Sequence, residues 1–158
     1  MKQKKTFKGF TLIEMILVVT IIAILATSVL VGLGGARTSA RNSRRVGDLR
    51  NIQNALELYY NKNGYYCPTQ GYNNLVNCLQ DLGTRVPTDP LVASGWRYYY
   101  APLNSGGGAT NQQYVLGAKL EGLTPEDSLM KSSLINVSVE GQQCGKCFTG
   151  YCVYCVGS

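Results

Sequence analysis

The chain has 158 residues, enough for one small domain plus attachments. It contains no histidine, which removes the commonest general base and the commonest metal ligand and excludes Ser-His-Asp and Cys-His catalysis. The formal net charge of +6 is concentrated near the N-terminus, and from residue 51 onward six Lys or Arg stand against seven Asp or Glu, so the distal part carries no general nucleic-acid-binding surface.

Lys2, Lys4, Lys5 and Lys8 precede an apolar run, and between Glu14 and Arg37 nothing is ionisable. Residues 15–36 are long enough to cross a membrane. Short positive segments before such a helix stay on the cytoplasmic side, so the remainder is expected to face away from the cytoplasm. A secretory signal fits poorly: the apolar run exceeds its usual core of about 7 to 15 residues, and Glu14 is misplaced for one. A carboxylate at the start of a membrane helix costs a few kcal/mol unless it is paired, which makes Glu14 a functional candidate.

These residues carry a resemblance. KGFTLIEM, residues 8–15, followed by a long apolar helix, resembles the class III signal of type IV pilins and type II secretion pseudopilins. The resemblance implies a cleaved leader (1–9), a transmembrane and filament-core helix (10–36), an amphipathic helical half (37–62) and a β-rich head (63–158). It implies cleavage after Gly9 by a prepilin peptidase and N-methylation of the new N-terminal Phe10. Glu14 would neutralise the N-terminal amine of a neighbouring subunit and set the register of assembly.

From Arg37 to Lys62 there is no proline, and Val46, Leu49, Ile52, Leu56 and Tyr59 recur at spacings of three and four, with Tyr60 widening the stripe. Arg41, Arg44, Arg45 and Asp48 are read as occupying much of the remaining, polar side. A single helix from Phe10 to Lys62 would be on the order of 80 Å long. Gly32, Gly34 and Gly35 interrupt it and mark where it should bend or unwind most easily. Their GLGGAR context lacks the third glycine and the preceding strand of a dinucleotide site.

Asn63-Gly64 and Cys67-Pro68 signal turns, and residues 73–82 could form a short helix bearing Leu75, Val76, Leu79 and Leu82. Cys67 and Cys78 enclose ten residues, and bridging them would stabilise the domain by about 2 to 3 kcal/mol in the loop-entropy model. Beyond PTDP (87–90) the period changes to two. WRYYYA (96–101) and QYVLGAKL (113–120) read as two strands joined by a glycine-rich loop, NSGGGATN. Trp96, Tyr98 and Tyr100 are expected on one face of the first, and Tyr114, Leu116 and Ala118 on one face of the second. Arg97 stands alone among the strand tyrosines, so core packing outweighs base stacking there.

The tail CGKCFTGYCVYC could hold a metal through four thiolates, but only four residues separate Cys147 from Cys152, against 15 to 20 between the knuckles of a zinc ribbon. No βαβ pattern supports a redox CxxC. Structural disulfides fit an extracytoplasmic compartment better. Cys144, Cys147, Cys152 and Cys155 allow three pairings; if FTGY (148–151) is a four-residue turn, Cys147 faces Cys152 and Cys144 faces Cys155 in two nested bridges.

The expected fold is therefore α+β, a pilin fold with a long N-terminal helix on a small antiparallel sheet. No catalytic residue, metal site or cofactor is expected. The implied function is a type IV pilus subunit in a helical homo-oligomeric filament, held in the cytoplasmic membrane with its head outside and then carried into an extracellular pilus. A prepilin peptidase, an assembly platform protein and a motor ATPase would be its partners. The alternative is a type II secretion pseudopilin, although the acidic cluster near its end is limited to Glu121, Glu126 and Asp127. A membrane-anchored thiol or metal protein is the third reading.

Overall fold

The computed structural model describes residues 9–80, 82–103, 111–133 and 138–157, with the side chains of 29–33 left aside. Two compact units divide the chain between Arg37 and Thr38.

In the first unit the helix α1 (Leu12–Asn63) begins. Its apolar side chains are exposed here: Phe10, just before the helix, is 79% accessible and Leu12 77%. Among the described residues no helix is long and apolar enough to cross a membrane. The described side chains of the apolar run are interrupted between Ser28 and Gly34, which leaves 15–28 short of the roughly 20 consecutive apolar residues that a span needs. Thr20, Thr27 and Ser28 donate their hydroxyls to carbonyls three or four residues back, which removes the hydroxyl cost of an apolar setting.

In the second unit the rest of α1 lies on a four-stranded antiparallel sheet. Its strands are β1 (Tyr99–Leu103), β2 (Gln113–Glu121), β5 (Cys147–Phe148) and β6 (Tyr151–Gly157), in the order β1-β2-β6-β5. The helix α2 (Tyr72–Gln80), the short α3 (Ser128–Lys131) and a two-stranded sheet of β3 (Ser138–Val139) with β4 (Gln142–Gln143) complete it. The fold is α+β, as expected.

The core between helix and sheet contains Leu49, Ile52 and Leu56 of α1, Leu75 and Leu79 of α2, and Tyr98, Tyr100, Tyr114, Leu116, Ala118 and Leu120. The spacing of three and four therefore does set the buried face of α1, with Ala55 added to it. Val46, Tyr59 and Tyr60 are only partly buried at its margins. A smaller cluster of Tyr99, Val115, Val139, Cys144, Val153 and Cys155 covers the other side of the sheet. Both faces of β1 are thus filled, which a strict alternation of core and solvent does not anticipate.

Three sequence expectations need correction. Arg45 and Asp48 do not lie on a solvent face: both are buried, Arg45 completely, because acceptors and donors from the sheet side reach them. The first strand begins at Tyr99 rather than Trp96, since Trp96 donates its N–H back to Leu91 at 3.3 Å and is held in the turn after Gly95, whose φ is +81°. The tail hairpin turns on two residues, Thr149 and Gly150, with Phe148 paired to Tyr151, because Gly150 takes φ +90° and lets the chain reverse more tightly. The glycine-rich connection falls mostly outside the described residues.

Three disulfides close the head: Cys67–Cys78, Cys144–Cys155 and Cys147–Cys152. The two tail bridges are nested, as the hairpin argument expected, and no cysteine is free. At the centre of the sheet Gly117 leaves room for the β3 hairpin, since a Cβ there would lie 3.0 Å from Val139 Cγ1 and 3.4 Å from Cys155 Sγ. Gly117→Ala is expected to destabilise the head by about 1–3 kcal/mol through overpacking, read as a lower urea midpoint at unchanged slope.

Candidate functional site

Two groups of polar side chains stand out, one at the start of α1 and one where α1 meets the end of β2.

At the first, Gly9 and Phe10 precede the helix in irregular, exposed backbone. Thr11 and Glu14 form a reciprocal cap: the Thr11 N–H and hydroxyl donate to Glu14 Oε2 at 2.8 and 2.6 Å, while the Glu14 N–H reaches Thr11 Oγ1 at 3.3 Å. This capping box satisfies donors that a helix start leaves open. Among the described residues no hydrogen bond is made to the second oxygen, Oε1. The structure therefore places Gly9, Phe10 and Glu14 within one short segment at the helix start and leaves the six cysteines in the head.

The second group was not found from the sequence. Arg45, with no exposed side-chain surface, donates to Asp89 Oδ2 at 2.8 Å and Oδ1 at 3.2 Å, to Glu121 Oε1 at 2.7 Å and to Asn42 Oδ1 at 3.1 Å. Its guanidinium carbon lies 4.5 Å from the centre of the Trp96 ring. Arg41 grips the same glutamate, 2.8 Å to Oε1 and 2.6 Å to Oε2. Asn42 pairs with the Glu121 backbone on both sides, donating to its C=O at 2.8 Å and accepting from its N–H at 2.9 Å. One face of the helix thereby acts as a strand neighbour at the end of β2. The available signal was weak: arginines four apart on a helix face, and an aspartate within a Pro-flanked turn.

The charges are matched. Glu121 is held well below the ordinary carboxylate range, at about 2, first by the hydrogen bond from Arg41, with Arg45 adding to it against the opposing effect of burial. Burial alone would lower the Arg45 value, but Asp89 and Glu121 together carry it upward. Tyr98 donates to Asp48 at 2.6 Å, and burial, reinforced by that bond, pushes its phenol up.

Arg45 and Asp89 are buried, Arg41 and Glu121 half-buried, and their charges satisfy one another, an arrangement that holds structure in place rather than a reacting group. Among the described residues no cluster of three or more His, Cys, Asp or Glu is placed to hold a metal ion. The acidic cluster noted near the end is dispersed, with Glu121 bound to the two arginines, Asp127 accepting from Thr124 N–H at 2.6 Å and Glu126 lying exposed.

Comparison with known proteins settles the kinship. Residues 4–30 match the family model described as the prokaryotic N-terminal methylation motif. The type II secretion system core protein G of Aeromonas hydrophila is 32% identical over 137 residues, covering 79% of this chain and 92% of that protein. The chain belongs to the pilin and pseudopilin family. The core protein G of Vibrio cholerae is 33% identical over 129 residues, with 75% of this chain and 85% of the relative covered. The corresponding Escherichia coli K12 protein is 33% identical over 111 residues, covering 63% and 73% respectively. No solved structure gives a significant match. These relatives carry the name of the secretion alternative rather than of a pilus subunit, and pseudopilins are structural proteins, not enzymes.

The network makes two outcomes measurable. Arg45→Met would leave Asp89 and Glu121 partly uncompensated and should cost about 3–5 kcal/mol. The single tryptophan, Trp96, lies against Arg45, so its fluorescence in a urea titration reports that loss directly. Glu121 has a folded pKa of about 2 against an ordinary 4.5, so its contribution is fully present above about pH 4.5 and is lost as the pH falls from there through about 2. Glu121→Gln should accordingly be less stable near neutrality and show a flatter stability profile across that acid window.

Proposed function

We propose that this chain is a pseudopilin, a subunit polymerised into the filament of a type II secretion system. The observation that carries the reading is the likeness to core protein G relatives over as much as 92% of their length, which extends well past the N-terminal motif into the head. In this reading residues 10–36 anchor the precursor in the cytoplasmic membrane with the head outside, and 37–62 continue the helix into the head of 63–158. A prepilin peptidase cuts after Gly9 and methylates the amine of Phe10. A platform protein and a motor ATPase then draw the subunit into a homo-oligomeric helical filament.

The exposed apolar side of α1 supports this. Ile13, Ile16, Leu17, Val19 and Leu25 are each more than half accessible, at the order of 25 cal/mol per Å² of apolar surface left in water. Such a surface needs lipid or other helices around it. Glu14 fits the same scheme: one oxygen is used within the subunit by Thr11, and the other is available to a neighbour's N-terminal amine. A buried pair of this kind contributes register more than stability.

Three measurements test the proposal. Mass spectrometry of the mature protein should show a chain beginning at N-methylated Phe10, with Gly9→Val accumulating as uncut precursor; an N-terminus after Ala36 would exclude the assignment. Glu14→Ala is expected to insert in the membrane yet fail to compete with wild type for the filament. Deletion of the gene should leave normally secreted enzymes inside the cell with surface pili intact, whereas loss of pili with secretion unchanged would favour the type IV pilus reading.

A further inference from the structure

On the outer side of β1, and on β6 where it runs beyond the short β5, the backbone is occupied by something other than a strand of the sheet. On β1 the residue facing away from β2 is Tyr100: its N–H donates to Glu140 Oε1 at 3.0 Å and its C=O accepts from Gly71 N–H at 3.0 Å. Antiparallel pairing alternates inward and outward residues, so Pro102 takes the other outward position, and proline has no N–H to offer. Within Tyr99–Leu103 the outer edge therefore presents no free donor. On β6, beyond the two-residue β5, Cys155 N–H is taken by Ser133 Oγ at 2.9 Å, and Val153 is paired to Gly145 N–H and Lys146 C=O at 2.9 and 2.8 Å.

Glu140 is an unexpected residue for its position. It sits at φ +48° and Gly141 at φ +78°, forming the two-residue turn between β3 and β4. A turn with both φ values positive favours Asn, Asp or Gly at its first position, and a glutamate held in the left-handed region is disfavoured. The side chain explains the choice. One oxygen closes the Tyr100 N–H, the other lies 3.7 Å from Arg97, and the shorter Asn or Asp that the turn prefers has one methylene less with which to reach.

We propose that Glu140 is an edge guard: its carboxylate, acting with Pro102, keeps β1 from pairing with an extended strand of a second copy of this chain. Open edges of this kind are ready templates for strand addition, and natural sheets block them with charge, proline or a covering segment. The consequence for a chain that polymerises is specific. Copies are restricted to contacts made by α1 and by side-chain surfaces, and the sheet cannot extend from one head to the next.

The test uses the full chain in detergent micelles, with mass measured by light scattering after size exclusion. Glu140→Asn combined with Pro102→Val uncovers two outward N–H groups while giving the turn a residue it favours. This variant should rise at least twofold in mass relative to wild type at tens of micromolar. Glu140→Gln with Pro102→Val should stay at the wild-type mass, because the carboxamide oxygen still accepts from Tyr100. Hydrogen exchange at the Tyr100 amide gives a second readout: tenfold or faster exchange in Glu140→Asn alone, and unchanged exchange in Glu140→Gln. Wild-type mass in the Asn double variant, equal association of the Gln double variant, or full Tyr100 protection in Glu140→Asn would each overturn the proposal. Intact disulfides and an unchanged Trp96 emission establish that the variants compared are folded.

Discussion

Arg45 is a permanent cation without exposed side-chain surface, and the head is organised so that this charge is never without a partner. Asp89 comes from the loop after α2, Glu121 from the last position of β2, and Asn42 from one turn earlier on the same helix. Three separated stretches of chain must be in place together before the cation is satisfied. Desolvating two or three charges takes back most of what their attraction supplies, so such a network specifies one arrangement more than it adds stability. Because Arg41 and Asn42 bind the same Glu121, rotation of α1 about its own axis would break several charge-assisted bonds at once. The seating of residues 38–63 of α1 on the sheet is therefore fixed by chemistry as well as by packing.

The tyrosines follow a similar logic. Tyr98 donates to Asp48, Tyr66 to Glu57 and Tyr100 to the Cys67 carbonyl, at 2.6, 3.0 and 2.7 Å. Each ring contributes apolar area to the core while its hydroxyl reaches an acceptor on α1 or its exit loop. The polar residues of the helix are thus the complement of an aromatic sheet. A core built this way tolerates few substitutions of shape, because both the ring and its hydrogen bond must be accommodated.

The two units differ in what they require. The head closes its own requirements with three disulfides and side chains that occupy its strand edges. The start of α1 does the opposite: it caps its first turn through Thr11 and Glu14 and leaves its apolar side exposed. A surface of that composition is stable only inside a bilayer or a bundle of other helices. A self-sufficient head joined to a dependent helix is what a polymerising subunit needs, because assembly can then be driven through the helix without remodelling the head.

The sequence by itself determined the elements whose signal is local and repetitive. The apolar run, the three-and-four spacing of Leu49, Ile52 and Leu56, the alternation in 113–120 and the motif at Gly9 to Glu14 are all readable within a few turns or residues, and a hairpin in the tail accounts for the nested cysteine pairs although its turn is tighter than the sequence suggests. Only the tertiary structure decided the fate of the charged residues. Arg45 and Asp48 read as solvent-facing because charged side chains on a helix usually are, and nothing near them in sequence announces Asp89 or Tyr98. The same holds for Glu140, whose role depends on a backbone N–H forty residues away. A buried charge is tolerated only where its partner arrives, and that arrival is a property of the folded chain, which no local pattern records.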